Sequence, residues 1–307
     1  MVLFFAVMFV RVKALLVCLV FSFILYFYFP PTIKAERNQL IIFDAGQGLA
    51  LGIRSGESIW LYDTGAAYEK SSVVQRVVLP YLRAHNLIYA AQGLIVSHGD
   101  WDHAGGLSDL LSSIDVNYFW SGEAERLVDV NHQKPRPCIE SMSWRSDTMT
   151  IEVLYPLKVP LDNGRKSSNN HSCVVRITID GFRFLLMGDL ESEAELELVR
   201  YYRDRLKSDV LIAGHHGSSN ASSYALLKHV QPDYMVFSAG YRNRFGHPHS
   251  KVVGRAKHFT QKIYNTAMTG ALTFNIEALK GSRAGGLDIN VEGIREGQLP
   301  FWILKGG

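Results

Sequence analysis

Two histidines and two carboxylates fall within the seven positions SHGDWDH, residues 97 to 103, directly after the apolar run GLIV. Imidazole nitrogens and carboxylate oxygens at this density can wrap a divalent cation, and an Asp-rich set tolerates a harder metal than an all-His set. His98, Asp100, Asp102 and His103 are therefore candidate ligands; the alternative is a solvated Asp turn that caps a helix. In SSNNHSCVV, His171 precedes a strand. In MGDL, Asp189 ends an apolar strand where an unpaired carboxylate is costly, its alternative role being the N-cap of ESEAELEL. With Asp180-Gly181 as the turn of a hairpin, Ser172 faces Asp189 and His171 lies diagonal to it, within reach of a shared metal.

Two more loops extend the pattern. AGHHGSSN offers His215 and His216, one as a ligand and the other as an acid or donor, and Ser218 at a helix start whose N–H groups suit an anion. SAGYRNRFGHPH holds Arg242, Asn243, Arg244, His247 and His249. Arginine forks match phosphate oxygens, and the GHP turn can aim His247 inward; an exposed basic loop is the plain alternative. Seven of the eleven histidines thus sit at strand ends, and the other four are scattered.

The elements that must position these loops are legible as alternating strands and helices. LIIFDAG, LALGIR and IWLYDTG read as a meander ending in two Asp-bearing turns, at Asp44 and Asp63. SSVVQRVVLPYLRAHNL reads as a helix interrupted near Pro80, and GLIVS as a buried strand. SCVVRITI and FRFLLMG flank the hairpin turn. An amphipathic helix over ESEAELELVRYYRDRL, the strands DVLIAG and DYMVFSAG with helices after each, and a final strand pair of KIYNT with ALTFNI complete a layered α/β domain.

Composition is globular: 307 residues, 47% hydrophobic and 20% charged, with a net charge of +3. Such a balance excludes an overall basic nucleic-acid-binding surface, so any such contact is a local patch. The cysteines Cys18, Cys138 and Cys173 lack CxxC spacing and form no disulfide framework; the latter two read as interior residues unless the compartment oxidises them. At the N-terminus ALLVCLVFSFILYFYF, residues 14 to 29, follows Arg11 and Lys13. At 1.5 Å per residue it gives roughly 24 Å, so flanking residues complete a span from about 12 to 30. A retained membrane anchor and a cleaved signal peptide are the two readings. The expected organisation is a membrane segment over 1–33, a linker over 34–38, the catalytic domain over 39–277 and a C-terminal extension over 278–307.

The cluster H-x-D-x-D-H after a strand, followed by a His, an Asp and a final His, resembles the metallo-β-lactamase superfamily. More narrowly, DAGQG, LYDTG, VVLPYLRAHNL, SHGDWDHAGG, SNNHSCVVRI, LLMGDLE, AGHHGS and SAGYRNRFGHPH, in this order, resemble the C-terminal hydrolase domain of ComEC-type DNA-internalisation competence proteins. The resemblance implies an αββα sandwich binding one or two divalent metal ions, Zn or Mn. It implies His98, Asp100 and His171 at one metal position, with Asn170 a rival of His171; Asp102, His103 and His215 at the other; and Asp189 bridging. Asp100 stands where most of the superfamily has a second His. ComEC-type proteins join this domain to a multi-helix channel, and at most one span precedes it in this sequence.

The expected activity is metal-dependent hydrolysis of DNA, single-stranded or duplex, during uptake at the bacterial inner membrane, with the domain outside the cytoplasm and a separate multi-span channel protein as partner. Asp102 and Asp189 are the metal-bridging candidates. His216 or His247 is the acid, and Ser218, Arg242, Asn243, Arg244 and His249 contact substrate. Two rivals stay open: a non-catalytic DNA-docking module or remnant of such a channel, and a hydrolase of another phosphodiester or ester.

Overall fold

A computed structural model describes residues 38–127, 132–161, 167–278 and 287–295. The chain runs through β1 (Asn38–Ile42), β2 (Leu51–Ser55), β3 (Ser58–Tyr62), the small hairpin β4 and β5 (Ala67–Tyr68, Ser71–Ser72), β6 (Ala91–Val96), β7 (Tyr118–Ser121) and β8 (Arg136–Pro137). It continues through β9 (Ser143–Arg145), β10 (Met149–Tyr155), β11 (Val174–Ile179), β12 (Phe182–Leu186), β13 (Val210–Ile212), β14 (Tyr234–Phe237), β15 (Lys262–Asn265), β16 (Leu272–Ala278) and β17 (Leu287–Gly293). One sheet has the order β17-β16-β1-β2-β3-β6-β7-β8, the other β15-β14-β13-β12-β11-β10-β9.

Side-chain alternation along the strands makes these sheets the middle of four layers. On β6, Ile95 points to the core between the sheets while Leu94 and Val96 pack against helices Leu79–Ala84 and Leu107–Leu111. On β12, Phe184 and Leu186 face that same central core while Leu185 packs on the far side with Leu198 and Leu227. Both faces of each sheet are therefore apolar and each outer face is covered by helices, the αββα arrangement that such two-sided strands require. The helix expected around Pro80 opens as a widened π turn over Val74–Val78 and becomes α-helical over Leu79–Ala84. Pro80 follows the π turn directly, and its missing N–H interrupts the helix ladder where the π turn passes into the α-helix.

Three local expectations give way to long-range pairing. Lys262–Asn265 and Leu272–Ala278 are not a pair: β15 joins β14 in parallel, whereas β16 crosses to the other sheet and pairs with β1. Residues 287–293, expected in an extension, form β17, which pairs antiparallel with β16 and carries the first sheet beyond 277. Cys138 and Cys173, read as plain interior residues, form a disulfide. Cys138 follows β8 and Cys173 precedes β11, so the bond ties one sheet to the other, a proximity that spacing along the chain cannot reveal. The membrane span expected over residues 12–30 lies outside the described residues. Among the described residues no helix is long and apolar enough to cross a membrane.

Candidate metal centre

The cluster loops meet where parallel strands end. Residues 97–103 follow β6, Asp189 follows β12, the His215-His216 pair follows β13, and Asp63 follows β3. Two close approaches make this convergence possible. A Cβ at Gly122 would collide with the carbonyl oxygens of His171 and Ser97, and one at Gly188, whose φ is +54°, would lie 2.8 Å from Ser97 Cβ. His215 and His216 both adopt left-handed backbone, with φ of 49° and 53°. Consecutive non-glycine residues in that region are costly, of order 1–3 kcal/mol each, and such conformations concentrate at functional sites.

His98, His103, Asp189 and His216 are buried. His103 Nε2 lies 3.0 Å from Asp189 Oδ1 and 3.2 Å from His216 Nε2, and His216 Nε2 lies 3.2 Å from Asp102 Oδ2 and 3.5 Å from Asp189 Oδ2. Donor atoms of His98, His103 and Asp189 converge as one group, and those of Asp102, His103 and His216 as a second that shares His103. The far nitrogen of each imidazole is already engaged. His103 Nδ1 faces Asp63 Oδ2 at 2.8 Å, His216 Nδ1 the Ser238 carbonyl at 2.8 Å, and His98 Nδ1 the Ser97 hydroxyl at 3.1 Å. With Nδ1 donating to Asp63 and to the Ser238 carbonyl, those two rings present Nε2 lone pairs inward, as metal-binding histidines do.

The donor set fits a divalent cation on an observation of its own. His98 Nε2 is buried with no hydrogen-bond partner, and Asp189 Oδ1, buried beside it, meets only His103 Nε2 at 3.0 Å. Buried polar atoms left unsatisfied cost about 1–3 kcal/mol each, which coordination removes. Charge points the same way. Burial opposes ionisation of Asp189, yet His103 and His216 hold its carboxyl well below the usual range. Burial likewise pushes His103 down, and Asp189 with Asp63 overrides it and raises the imidazole well above its ordinary value. In effect, protons on imidazoles do the work that a cation does once bound.

Other candidates lie around this centre. Asp100 Oδ2 is 3.5 Å from His98 Nε2, while its Oδ1 accepts from Arg126 Nη1 at 2.8 Å and Ser168 Oγ at 3.0 Å. The carboxyl is held below its usual range, chiefly by His98 and further by Ser168 and Arg126, against the pull of burial. Asp100 therefore borders the His98 side with one oxygen and is anchored outward by the other. His171 belongs to neither convergent group: its ring is 43% exposed, with Nδ1 2.9 Å from the Ser167 carbonyl. The hairpin register is as expected, with Val175 opposite Leu186, and Asp189 N donates to Ser172 Oγ at 3.0 Å. A 3-10 turn over Asn169–His171 breaks strand parity just before the histidine and turns it outward. Asn170 is buried, but its Oδ1 accepts from Glu191 N.

The two adjacent histidines are placed differently. His216 enters the cluster, whereas His215 lies at its rim, 3.8 Å from Asp189 and 3.5 Å from Glu191. His247 packs its ring 5.8 Å from that of His215, and its Nδ1 is buried without a partner. Burial first, then His215 and His216, lowers its pKa. Phe245 stacks on His247 at 5.6 Å, Arg244 lies over Phe245 and Arg242 over Tyr241. Asn243 and His249 turn out to shape this loop: Asn243 bonds backbone groups of Gly240, Phe245 and His247, and His249 caps helix Ser250–Ala256 by accepting from Lys251 N. Ser218 is half-buried beside the His pair.

The residues absent from the sequence reading are the supporting ones. Asp63 stood only as a turn residue in LYDTG, yet it accepts from Ser97 N, Ser97 Oγ and His103 Nδ1. Its place at the end of a buried strand was the available signal. Glu123 and Arg126 carried none; Glu123 Oε2 accepts from Gly99 N, and Arg126 bonds both Glu123 and Asp100.

Four layers with a His/Asp metal centre at the ends of the inner strands define a metal-dependent hydrolase fold. The family model described as "Metallo-beta-lactamase superfamily" matches residues 43–241, and the chain belongs to that superfamily. Competence protein ComA of Neisseria gonorrhoeae is 33% identical over 251 residues, 81% of this chain and 34% of that protein. ComE operon protein 3 of Bacillus subtilis is 28% identical over 286 residues, 87% of this chain and 36% of that one. Recombination protein 2 of Haemophilus influenzae is 33% identical over 238 residues. The chain thus spans about a third of the length of the curated relatives it matches. Among solved structures, a mutant of CmlA beta-hydroxylase superposes with a TM-score of 0.50 at 10% identity, over 80% of this chain and 54% of its own, a likeness of fold alone.

Proposed function

We propose that this protein is a metal-dependent phosphodiesterase that cleaves DNA during competence-type uptake, acting outside the cytoplasm at the bacterial inner membrane. The observation that carries the reading is the juxtaposition of a buried His/Asp cluster with an exposed loop of arginines and aromatics. His247 contacts His215 of the rim, and Phe245, Arg244, Tyr241 and Arg242 continue outward from it. A phosphodiester needs cationic partners for its oxygens and its flanking bases offer faces to stack, which this loop meets and a small neutral ester does not use.

In this reading Asp189 and Asp102 face the two sides of the His103–His216 pair, with His98 beyond His103 and Asp100 at the border. His98, His103, His216, Asp102 and Asp189 would hold a Zn²⁺ or Mn²⁺ ion, which would supply Lewis acidity there. Arg242 and Arg244 orient the phosphate, and His247, whose lowered pKa favours the neutral ring, borders the rim through His215 as a hydrogen-bond partner for the substrate. His216 is committed to the cluster and to Ser238. The partners are DNA, the membrane and a multi-span channel protein, a reading supported by relatives named as competence proteins. An extracytoplasmic site agrees with the Cys138–Cys173 disulfide, since such bonds persist where the compartment is oxidising.

The test is to load the purified chain with Mn²⁺ or Zn²⁺ and follow single-stranded and duplex DNA on gels, with Asp102→Ala alongside. Cleavage by the wild type and its loss in the variant is the expected result. Intact DNA in both, with metal bound at stoichiometric level, would overturn the nuclease reading and leave a docking module or another ester as the substrate question.

A further inference from the structure

Away from the metal centre, the edge formed by β7 and β8 carries its own chemistry. The stretch HQKPRP, residues 132–137, alternates two basic residues with two prolines. Lys134 and Arg136 are exposed. Arg136 opens β8, and Lys134 lies two residues before it. With Tyr118, His132 and Gln133 they line a cavity of about 280 Å³, and among the described residues of its wall none is acidic.

Tyr118 is the second component. It is 40% exposed, and its ring stacks at 16° and 5.6 Å on Trp60, which is fully buried. Trp60 is in turn packed by Trp120 and Trp144 at 5.1 and 5.3 Å. An outward-facing aromatic plate is thus backed by a rigid aromatic stack, so it loses little freedom when something lies on it.

The third observation is an orphan. Gln133 Oε1 accepts from Val116 N at 3.3 Å, but Gln133 Nε2 is buried in the cavity wall with no hydrogen-bond partner. A buried donor without an acceptor is a standing cost that a bound acceptor relieves. A protein strand is a poor candidate for that acceptor, because Pro135 and Pro137 strip two backbone donors from the edge and block strand addition. What matches all three features is a ligand with flat π faces, ring acceptors and repeated negative charge.

We propose that this edge binds a short run of single-stranded nucleic acid, one base stacked on Tyr118 and offering an acceptor to Gln133 Nε2, its flanking phosphates on Lys134 and Arg136. An unpaired base is required, since a base inside a duplex has no free face. The site deepens the nuclease reading and rests on it for biological sense, but its chemistry is independent of the metal. From Tyr118, β7 runs four residues, about 13 Å, to Gly122 against the backbone of Ser97 and His171. Cys138, directly after β8, is bonded to Cys173 beside that same loop. The edge therefore leads a strand toward the metal centre along a rigid path.

The experiment is fluorescence anisotropy of a labelled twelve-residue oligodeoxythymidylate with the full chain, stripped of metal by EDTA so that cleavage cannot intervene. Tyr118→Ala is expected to weaken binding about tenfold, with Tyr118→Phe retaining it. Lys134→Ala or Arg136→Ala is expected to reduce the slope of log affinity against log salt by about 0.7 each. A hairpin duplex of equal charge binds more weakly to wild type, and Asp189→Asn leaves oligonucleotide binding in place, which separates this site from the nuclease claim. Equal affinity of wild type, Tyr118→Ala and the exposed-residue variant Arg136→Glu, all with unchanged near-ultraviolet circular dichroism, would overturn the proposal. So would displacement of the oligonucleotide by polyglutamate at matched charge, since that ligand offers no base.

Discussion

The inner cluster and the Tyr241–His249 loop both sit at strand ends, yet they are held in opposite ways. Each of the three inner imidazoles is buried, its Nδ1 beside Asp63, Ser97 or Ser238. The outer loop spends its hydrogen bonds on its own backbone through Asn243, and lays its arginines on exposed aromatic faces. The inner half is set before any ligand arrives; the outer half is stabilised by contacts worth only about 0.5–1 kcal/mol each at exposed positions. Metal affinity should therefore be insensitive to the outer loop, and substrate affinity should respond to it.

The largest break in this division is expected at Asp189. Among the described residues, Asp189→Asn removes the only carboxylate within 4 Å of both His103 and His216 that is itself buried. Metal affinity should fall by more than ~100-fold, beyond the 10–100-fold typical of supporting residues, with hydrolytic activity lost in parallel; calorimetric titration of Zn²⁺ or Mn²⁺ measures it. Retained stoichiometric metal would show that the two histidine groups hold the ion without it. Asp63→Asn should act in the supporting range, about 10–100-fold in metal affinity, because an amide holds His103 Nδ1–H less strongly and relaxes the ring's tautomer.

The Cys138–Cys173 bond tests the frame that holds the inner half. It closes a loop across a sequence separation of 35 and joins the two sheets beside the Ser172–Asp189 contact. Cys138→Ser or full reduction should cost about 2–4 kcal/mol, lowering Tm by roughly 5–15 °C for a domain of this size. Calorimetry with and without reductant gives the answer, and an unchanged Tm would mean that the bond adds nothing to the native state.

How far the molecule was legible beforehand follows the same inner and outer division. Alternation and turn chemistry are local, so β1 to β3, β6, β11 to β14 and the pairing across Asp180-Gly181 were readable from residue types alone, whereas the two- and three-residue strands β4, β5, β8 and β9 were not. Which edge β15 and β16 join, and that Cys138 meets Cys173, depend on sheet assembly, about which neighbouring residues carry no information. At the metal centre the loops were readable and the individual ligands less so. His215 and His216 are adjacent, and left-handed backbone at both sends the second inward, a choice that residue type cannot express. Arg126 and Glu123 come from a loop with no pattern of its own.

On the outer side, Arg244→Ala and Phe245→Ala should each raise KM for a DNA substrate about two- to fivefold, consistent with an exposed stacked contact, while metal content stays at the wild-type value. Coupling with Asp63→Asn offers a sharper check, since separate halves predict double-mutant effects that add within about 0.5 kcal/mol. Strong coupling would show that the outer loop helps to order the cluster.

The smallest effect is expected at His171, and its smallness is informative. Sequence register places this histidine diagonal to Asp189, but the 3-10 turn over Asn169–His171 gives it to solvent, with its Nδ1 at the Ser167 carbonyl and 4.0 Å from Glu123. His171→Ala removes no donor that converges with His98, His103 and Asp189, so metal affinity should change less than about twofold. A fall of tenfold or more would mean that the turn rearranges when the cation binds and brings His171 in beside His98, a movement that Arg126 and Ser168, both anchored on Asp100, would have to permit.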